Sequence, residues 1–311
     1  MRRPRILLLL LFLGGSHLAT GQDVFQFLRN DVSPRVAALG GAFASMQGDP
    51  NSLFVNPGAL TTIPDRRFSV SYLDHLLDIS AGSVALTLPE TPLGMISVGV
   101  LFLHYGSFER TDQASNAYGS FTASDLAFSV GTAVTVEEYL SIGGAIKFIH
   151  SSLGDFRSEA VAADIGAFYL IPEERISIGV SLLHLGSQLS TYAGSRESLP
   201  TDLRVGITKR PEHLPVLINI NLHGLNESDR PFGDRLKQFS FGAEFEMSTS
   251  FRLRLGFNNR IRQDVRLGSS AGLAGFSVGT GIEIGSYRLD YAFNSYGAIG
   301  GLHRLGISSD F

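Results

Sequence analysis

Residues 239–257 form two strictly alternating runs, Phe239 to Met247 and Phe251 to Phe257, about the turn Ser248-Thr249-Ser250. Phe239, Phe241, Ala243, Phe245 and Met247 share one face of the first run, and Phe251, Leu253, Leu255 and Phe257 one face of the second, because side chains along a strand alternate with a period of two. The opposite faces carry Glu244 and Glu246, then Arg252 and Arg254. Pairing Met247 with Phe251 sets Glu246 against Arg252 and Glu244 against Arg254, so opposite charges meet on one face. An apolar face backed by an ion-paired one predicts strands with lipid outside and a polar lumen inside. A second hairpin repeats the arrangement: Glu283 falls opposite Arg288, while Tyr287, Leu289, Tyr291 and Phe293 share the other side.

Fourteen such segments follow from Arg66, at 66–74, 79–88, 93–105, 124–136, 140–151, 159–171, 175–186, 201–210, 215–223, 237–247, 251–259, 274–284, 286–294 and 301–311. Connections such as Pro89 to Pro92, Glu137 to Tyr139, Pro172 to Glu174, Pro211 to Leu214 and Gly285 are short, whereas 106–123, 187–200, 224–236 and 260–273 are long. Short turns at one rim and long loops at the other predict an all-β fold, a transmembrane antiparallel β-barrel of about 14 strands spanning residues 66–311. The even count leaves both termini at the short-turn, periplasmic rim. So many strands of about ten residues are too many for one ordinary β-sandwich. Residues 22–65, with Gly40-Gly41, Gln47 to Asn51 and the turn Asn56-Pro57-Gly58, lack strand alternation and predict a plug or periplasmic segment.

Arg2, Arg3 and Arg5, the apolar run Ile6 to Leu13 and Ala19-Thr20-Gly21 predict a cleaved secretory signal over residues 1–21. That run is too short to span a bilayer as a helix, and no later stretch reaches the required 18 or so apolar residues. Charged residues make up only 17% of the chain against 44% apolar, and 35 of the 311 residues are glycine, a balance that suits strands with one face in lipid. The net charge of -4 gives no basic footprint, so nucleic-acid binding lacks electrostatic support. Without cysteine there is no disulfide framework, lipid-modified cysteine or thiolate site. Tryptophan is also absent, so aromatic girdles at the membrane surfaces fall to the 22 Phe and 9 Tyr residues.

Gly268-Ser269-Ser270-Ala271-Gly272 satisfies the nucleophile-elbow pattern, but a loop precedes it and a strand follows, where that chemistry needs a strand and then a helix. Gly279-Thr280-Gly281 has no following helix to complete a phosphate loop. Histidines 75, 104, 150, 184, 213, 223 and 303 are dispersed, with no spacing that forces a serine or carboxylate beside one or gathers metal ligands. The pattern therefore predicts no enzyme, no metal and no cofactor. Glu244, Glu246, Arg252, Arg254, Glu283 and Arg288 read first as paired charges that fill and rigidify the lumen, and second as a selectivity lining. Arg304, Gly306 and Phe311 fit the carboxy-terminal pattern read by barrel-insertion machinery, although Ser309 stands where an aromatic is usual.

Phe25-Gln26-Phe27-Leu28, Pro34 to Gly41 and Asn56-Pro57-Gly58-Ala59-Leu60 resemble the amino-terminal pattern of the PorV/PorQ family, which is related to FadL-type channels. Tyr105 to Phe108, Gly119 to Asp125, Gly144 to Ile149, Ala163 to Gly166, Leu199 to Gly206, Asp290 to Phe293 and His303 to Gly306 carry the likeness along most of the chain. This resemblance implies a bacterial outer-membrane component of the type IX secretion system that anchors a PorZ-like accessory protein near PorU and PorV components. The loop 106–123, with Tyr105, Phe108, Tyr118 and Phe121, is the expected contact. The alternative is a FadL-like channel for hydrophobic small molecules, with a lateral exit at an interrupted strand near Gly99 or Gly143-Gly144.

An arginine turned to lipid at mid-membrane costs about 2–4 kcal/mol. Leu253→Arg is therefore expected to cut the yield of membrane-inserted barrel while Arg252→Leu leaves it near wild type, scored by membrane fractionation; equal yields contradict the assignment of faces.

Overall fold

The computed structural model describes residues 23–31, 33–74, 78–91, 94–112, 114–228, 230–265 and 272–311. The predicted signal at 1–21, His75 and residues 268–271 of the elbow-like motif lie outside them. The strands are β1 (Arg67–Asp74), β2 (Ser80–Thr91), β3 (Gly94–Thr111), β4 (Ala117–Glu137), β5 (Leu140–Leu153), β6 (Phe156–Ile171) and β7 (Ile176–Ser190). They continue as β8 (Asp202–Lys209), β9 (Val216–Leu222), β10 (Phe239–Glu246), β11 (Phe251–Asn258), β12 (Phe276–Ile284), β13 (Tyr287–Ser295) and β14 (Gly301–Asp310). Each pairs antiparallel with its neighbours, and β1 pairs with β14, closing a 14-stranded barrel. Arg67 stands opposite Asp310 across that seam and forms an ion pair with it. Among the described residues no helix is long and apolar enough to cross a membrane.

The barrel has an apolar outside and a polar inside. Leu126, Phe128 and Val130 of β4, Ile142, Ile146 and Phe148 of β5, and Leu255 of β11 turn outward and are exposed. Lys147, Asp164, Asn219, Glu244 and Arg254 on the opposite faces are essentially inaccessible. The register of the 239–257 hairpin is the one its charges require: Glu244 lies opposite Arg254 and Glu246 opposite Arg252.

One predicted loop is mostly sheet. The segment 106–123 is strand up to Thr111 and again from Ala117, leaving a short connection around Asp112. The β3–β4 register shifts between His104 and Ser107, where Gly106 takes a left-handed φ of +80°. Pairing then resumes, and Phe108 stacks on Phe121 with centroids 5.2 Å apart. Strands β3 and β4 reach 18 and 21 residues, about twice what a tilted strand needs to cross a bilayer. The expected interruptions at Gly99 and Gly143-Gly144 are absent, since β3 and β5 keep continuous register through both. Further along the wall, β7 is irregular: Leu183 and His184 together oppose Asp164 as a β-bulge, and His184 takes φ +61°.

Candidate functional site

Residues 23–63 pack against inward-facing side chains of the wall strands. A short helix α1 (Pro34–Ala38) packs against β11 to β14, and a 3₁₀ turn (Pro57–Thr62) packs against β3 to β7. The segment therefore bridges opposite walls. Leu39, Phe43, Met46, Leu53, Leu60 and Ile63 are all at most 1% exposed. Its irregular backbone needs hydrogen-bond partners that no ladder supplies, and inward-facing side chains of the wall provide them. Ser177 donates to the Ser45 carbonyl at 2.8 Å, Ser181 to Val55 at 2.8 Å, Ser277 to Ala38 at 3.0 Å and Asn294 to Ala37 at 2.8 Å.

Asn56-Pro57-Gly58 sits directly against this wall. Asn56 is fully buried and donates to the carbonyls of Ala44 (2.7 Å) and Ala167 of β6 (3.0 Å), and its own side-chain oxygen accepts from the Gly58 N–H at 3.0 Å. A Cβ on Gly58 would stand 2.8 Å from the Gly166 carbonyl oxygen, and one on Gly143 2.5 Å from that of Pro57. Glycine on both sides thus brings two backbones into contact.

On the lipid side of this same region lies an apolar recess of about 440 Å³. Thr132, Gly144 and Ala167 form its small-residue centre, with Val134, Ile142 and Ile165 at its sides. Gly144 turns outward, and a Cβ there would meet only the Asp164 carbonyl oxygen, at 3.5 Å. The wall between recess and lumen is therefore little more than glycine and alanine backbone.

The segment is also held by charge. Arg35 of α1 meets Glu244 at 2.9 Å and Asp49 at 3.3 Å. Glu244 meets Arg254 at 2.6 Å, Arg254 meets Asp290 at 2.5 Å, Asp290 meets Arg288 at 3.0 Å, and Arg288 returns to Asp49 at 3.3 Å. Three guanidinium groups and three carboxylates alternate in a closed, neutral ring. Burial alone would raise the Asp49 carboxyl, but Arg288, Arg35 and two hydrogen bonds from Asn51 outweigh it and hold it below its usual value.

The predicted lumen charges divide between this ring and the mouth. Glu244 and Arg254 pair as their register requires. Glu246 and Arg252, although opposite one another, do not: Glu246 takes Arg210 at 2.7 Å, and Arg252 takes Glu283. Arg288 in turn leaves Glu283, its cross-strand neighbour, for Asp49 and Asp290. These two carboxylates are almost completely buried, whereas Glu283 is partly exposed, so the drier pair offers the stronger field. Sequence reasoning missed Arg35, Asp49 and Asp290; the only available signal was that Asp290 shares a strand face with Arg288.

Arg304 and Gly306 face the N-terminal segment. Arg304 donates to the Asp31 carbonyl at 2.8 Å and to Asn294 at 2.5 Å, and a Cβ on Gly306 would meet Pro34 at 2.9 Å. Phe311 is exposed and lies 6.2 Å from the Phe68 ring. The histidines are spread over the barrel, but two do have carboxylate neighbours: His150 lies 3.3 Å from Glu159, and the His184 N–H donates to Asp164 at 2.8 Å. Lys147 completes that second cluster, 2.6 Å from Asp164 and 3.1 Å from His184. Among the described residues no group of three or more His, Cys, Asp or Glu could hold a metal ion.

No protein-family model matches the sequence, and no curated protein matches it. Solved structures do match its fold. The toluene transporter TbuX of Ralstonia pickettii superposes with a TM-score of 0.61 at 12% identity, over 89% of this chain and 98% of that one. The toluene transporter TodX of Pseudomonas putida gives 0.57 at 12%, over 88% and 95%, and a Pseudomonas aeruginosa FadL homologue 0.54 at 10%, over 90% and 98%. The fold is that of FadL-type barrels.

Removing one member of a buried ion-pair network leaves its partners uncompensated, a loss of roughly 3–5 kcal/mol, whereas an exposed pair is worth about 0–1 kcal/mol. Arg254→Met should therefore lower the unfolding midpoint in lipid vesicles markedly and open residues 23–63 to protease, while Arg252→Met does neither. Equal effects would mean that the ring does not hold the segment.

Proposed function

We propose that this chain is an outer-membrane channel for hydrophobic small molecules, with the N-terminal segment as a plug and the β4–β7 wall as a lateral exit. The observation that carries this reading is the apolar recess on the lipid face, separated from Asn56-Pro57-Gly58 by little more than the backbone of Gly143, Gly166 and Ala167. An apolar solute leaving there enters lipid without crossing the polar mouth, where a cavity of about 470 Å³ is lined by Arg35, Arg67, Arg175, Arg210, Arg252 and Arg288. The shared fold adds support, since TbuX and TodX are toluene transporters and CymD a monoaromatic hydrocarbon channel. The proposal includes export through the signal at 1–21, insertion directed by Arg304, Gly306 and Phe311, and both termini in the periplasm. No step calls for an enzyme or a cofactor.

A second reading, anchorage of a PorZ-like protein beside PorU and PorV components, draws on one observation. The β3–β4 hairpin stands well beyond membrane thickness and exposes Phe108 and Tyr118, which suits a protein partner.

Uptake of radiolabelled toluene by cells lacking their own carriers separates the two readings. The channel reading expects uptake well above the vector control and a loss of about tenfold in Gly144→Leu, whose Cβ clears the wall and whose side chain enters the recess. Control-level uptake by a correctly inserted barrel contradicts it, and co-purification of a soluble accessory protein then favours anchorage.

A further inference from the structure

At the long-loop end of the barrel, remote from the recess, a pocket of about 270 Å³ opens between the N-terminal segment and strands β3 to β5. Four aromatic residues line it, Phe25, Tyr105, Phe108 and Tyr192, together with the carboxylate of Asp125, which is 7% exposed. The hydroxyls around that carboxylate converge on it. Tyr105 Oη donates to Oδ2 at 2.6 Å, Ser151 Oγ donates to Oδ1, and Tyr192 Oη donates to Ser151 Oγ.

What is missing is a counter-ion. No lysine, arginine or histidine lines the pocket, and among the described residues none forms an ion pair with Asp125. The other deeply buried carboxylates described above, Asp49, Glu244, Asp290 and Asp164, each have a cation within 3.3 Å. An anion taken from water without such a partner is costly, and each of its oxygens can accept a second hydrogen bond beyond the one a side chain supplies. Aromatic rings beside an anion also suit a cation, because their faces are electron-rich. Phe25 holds a left-handed φ of +57° at this edge, a conformation that a bulky residue keeps only where its surroundings enforce it.

We infer that this pocket binds a small organic ammonium ion with an apolar body, such as an arylalkylamine. The ammonium group is placed against Asp125, and the hydrocarbon lies among the rings of Phe25, Tyr105, Phe108 and Tyr192. The site gives the channel an entry-side preference for amines, and it rests on the channel reading only for the ligand's onward path. The bland account of the same residues is that Asp125 merely ties β3, β5 and the loop carrying Tyr192 together. That account demands no preference between an amine and its neutral analogue.

The test is calorimetric binding of 2-phenylethylamine and of neutral 2-phenylethanol to the full chain in detergent. The amine is expected to bind at least tenfold more tightly than the alcohol, and Asp125→Asn should abolish that preference. Phe108→Ala, at a half-exposed position, should weaken both ligands and keep the preference. Equal affinities, no binding of either probe, or a preference that survives in a folded Asp125→Asn protein overturns the proposal; the wild-type comparison decides even where that variant does not fold. Toluene uptake is scored separately. Amine binding without uptake keeps this site and removes the channel, whereas uptake without amine preference removes the site alone.

Discussion

Charge placed inside a barrel must be matched inside it, and here the matching is done between the wall and a segment that is not part of the wall. Arg35 and Asp49 come from the N-terminal segment, and Glu244, Arg254, Arg288 and Asp290 from β10, β11 and β13. Each alone would be a buried ion with no partner; together they form a neutral ring. Eight strands enclose a space that side chains can fill, and larger barrels leave a lumen. Fourteen strands leave room beyond their own side chains, and the ring fixes where residues 23–63 sit in it.

The rest of the interior follows from that placement. Once α1 is held to β10–β13 by Arg35, the chain that leaves it passes Gly40, where a Cβ would meet the Phe257 backbone at 2.8 Å. It then crosses to β4–β7, where Asn56 is tied to Ala167 and Gly58 rests on Gly166. Ser177, Ser181 and Ser277 on the inner face are therefore not idle small residues. They supply hydrogen bonds to a backbone that has no strand partner. The same crossing sets Asn56-Pro57-Gly58 behind the wall region whose outer face carries the apolar recess, so the segment's placement and the thin wall belong to one construction.

The sheet was legible in the sequence because lipid on one side and charge on the other leave a period of two that turns interrupt cleanly. Residues 239–257 show this best, down to the pairing of Glu244 with Arg254. Legibility ended where that contrast ended. The stretch 106–123 stands beyond the membrane, has no apolar face to repeat, and so reads as a loop although it is mostly strand. Asp49 and Arg288 are partners far apart in sequence, brought together by a lumen segment without periodicity. Arg252 and Glu246 show a further limit, since register decides which residues are opposite, but burial decides which charges pair. The Asp125 pocket was hidden for the same reason: Phe25, Tyr105 and Tyr192 meet only through closure of the barrel.

On the proposed channel reading, a solute passes only when the N-terminal segment leaves its place between the walls. Ser45 of the segment and Thr208 of β8 hold their hydroxyl oxygens 2.7 Å apart, and the chain has no cysteine, so Ser45→Cys with Thr208→Cys gives a reversible lock. Toluene uptake by cells carrying this pair, oxidised and then reduced, is the direct measurement. Uptake should fall to control level when the lock is closed and recover on reduction. Equal uptake in both states would contradict it.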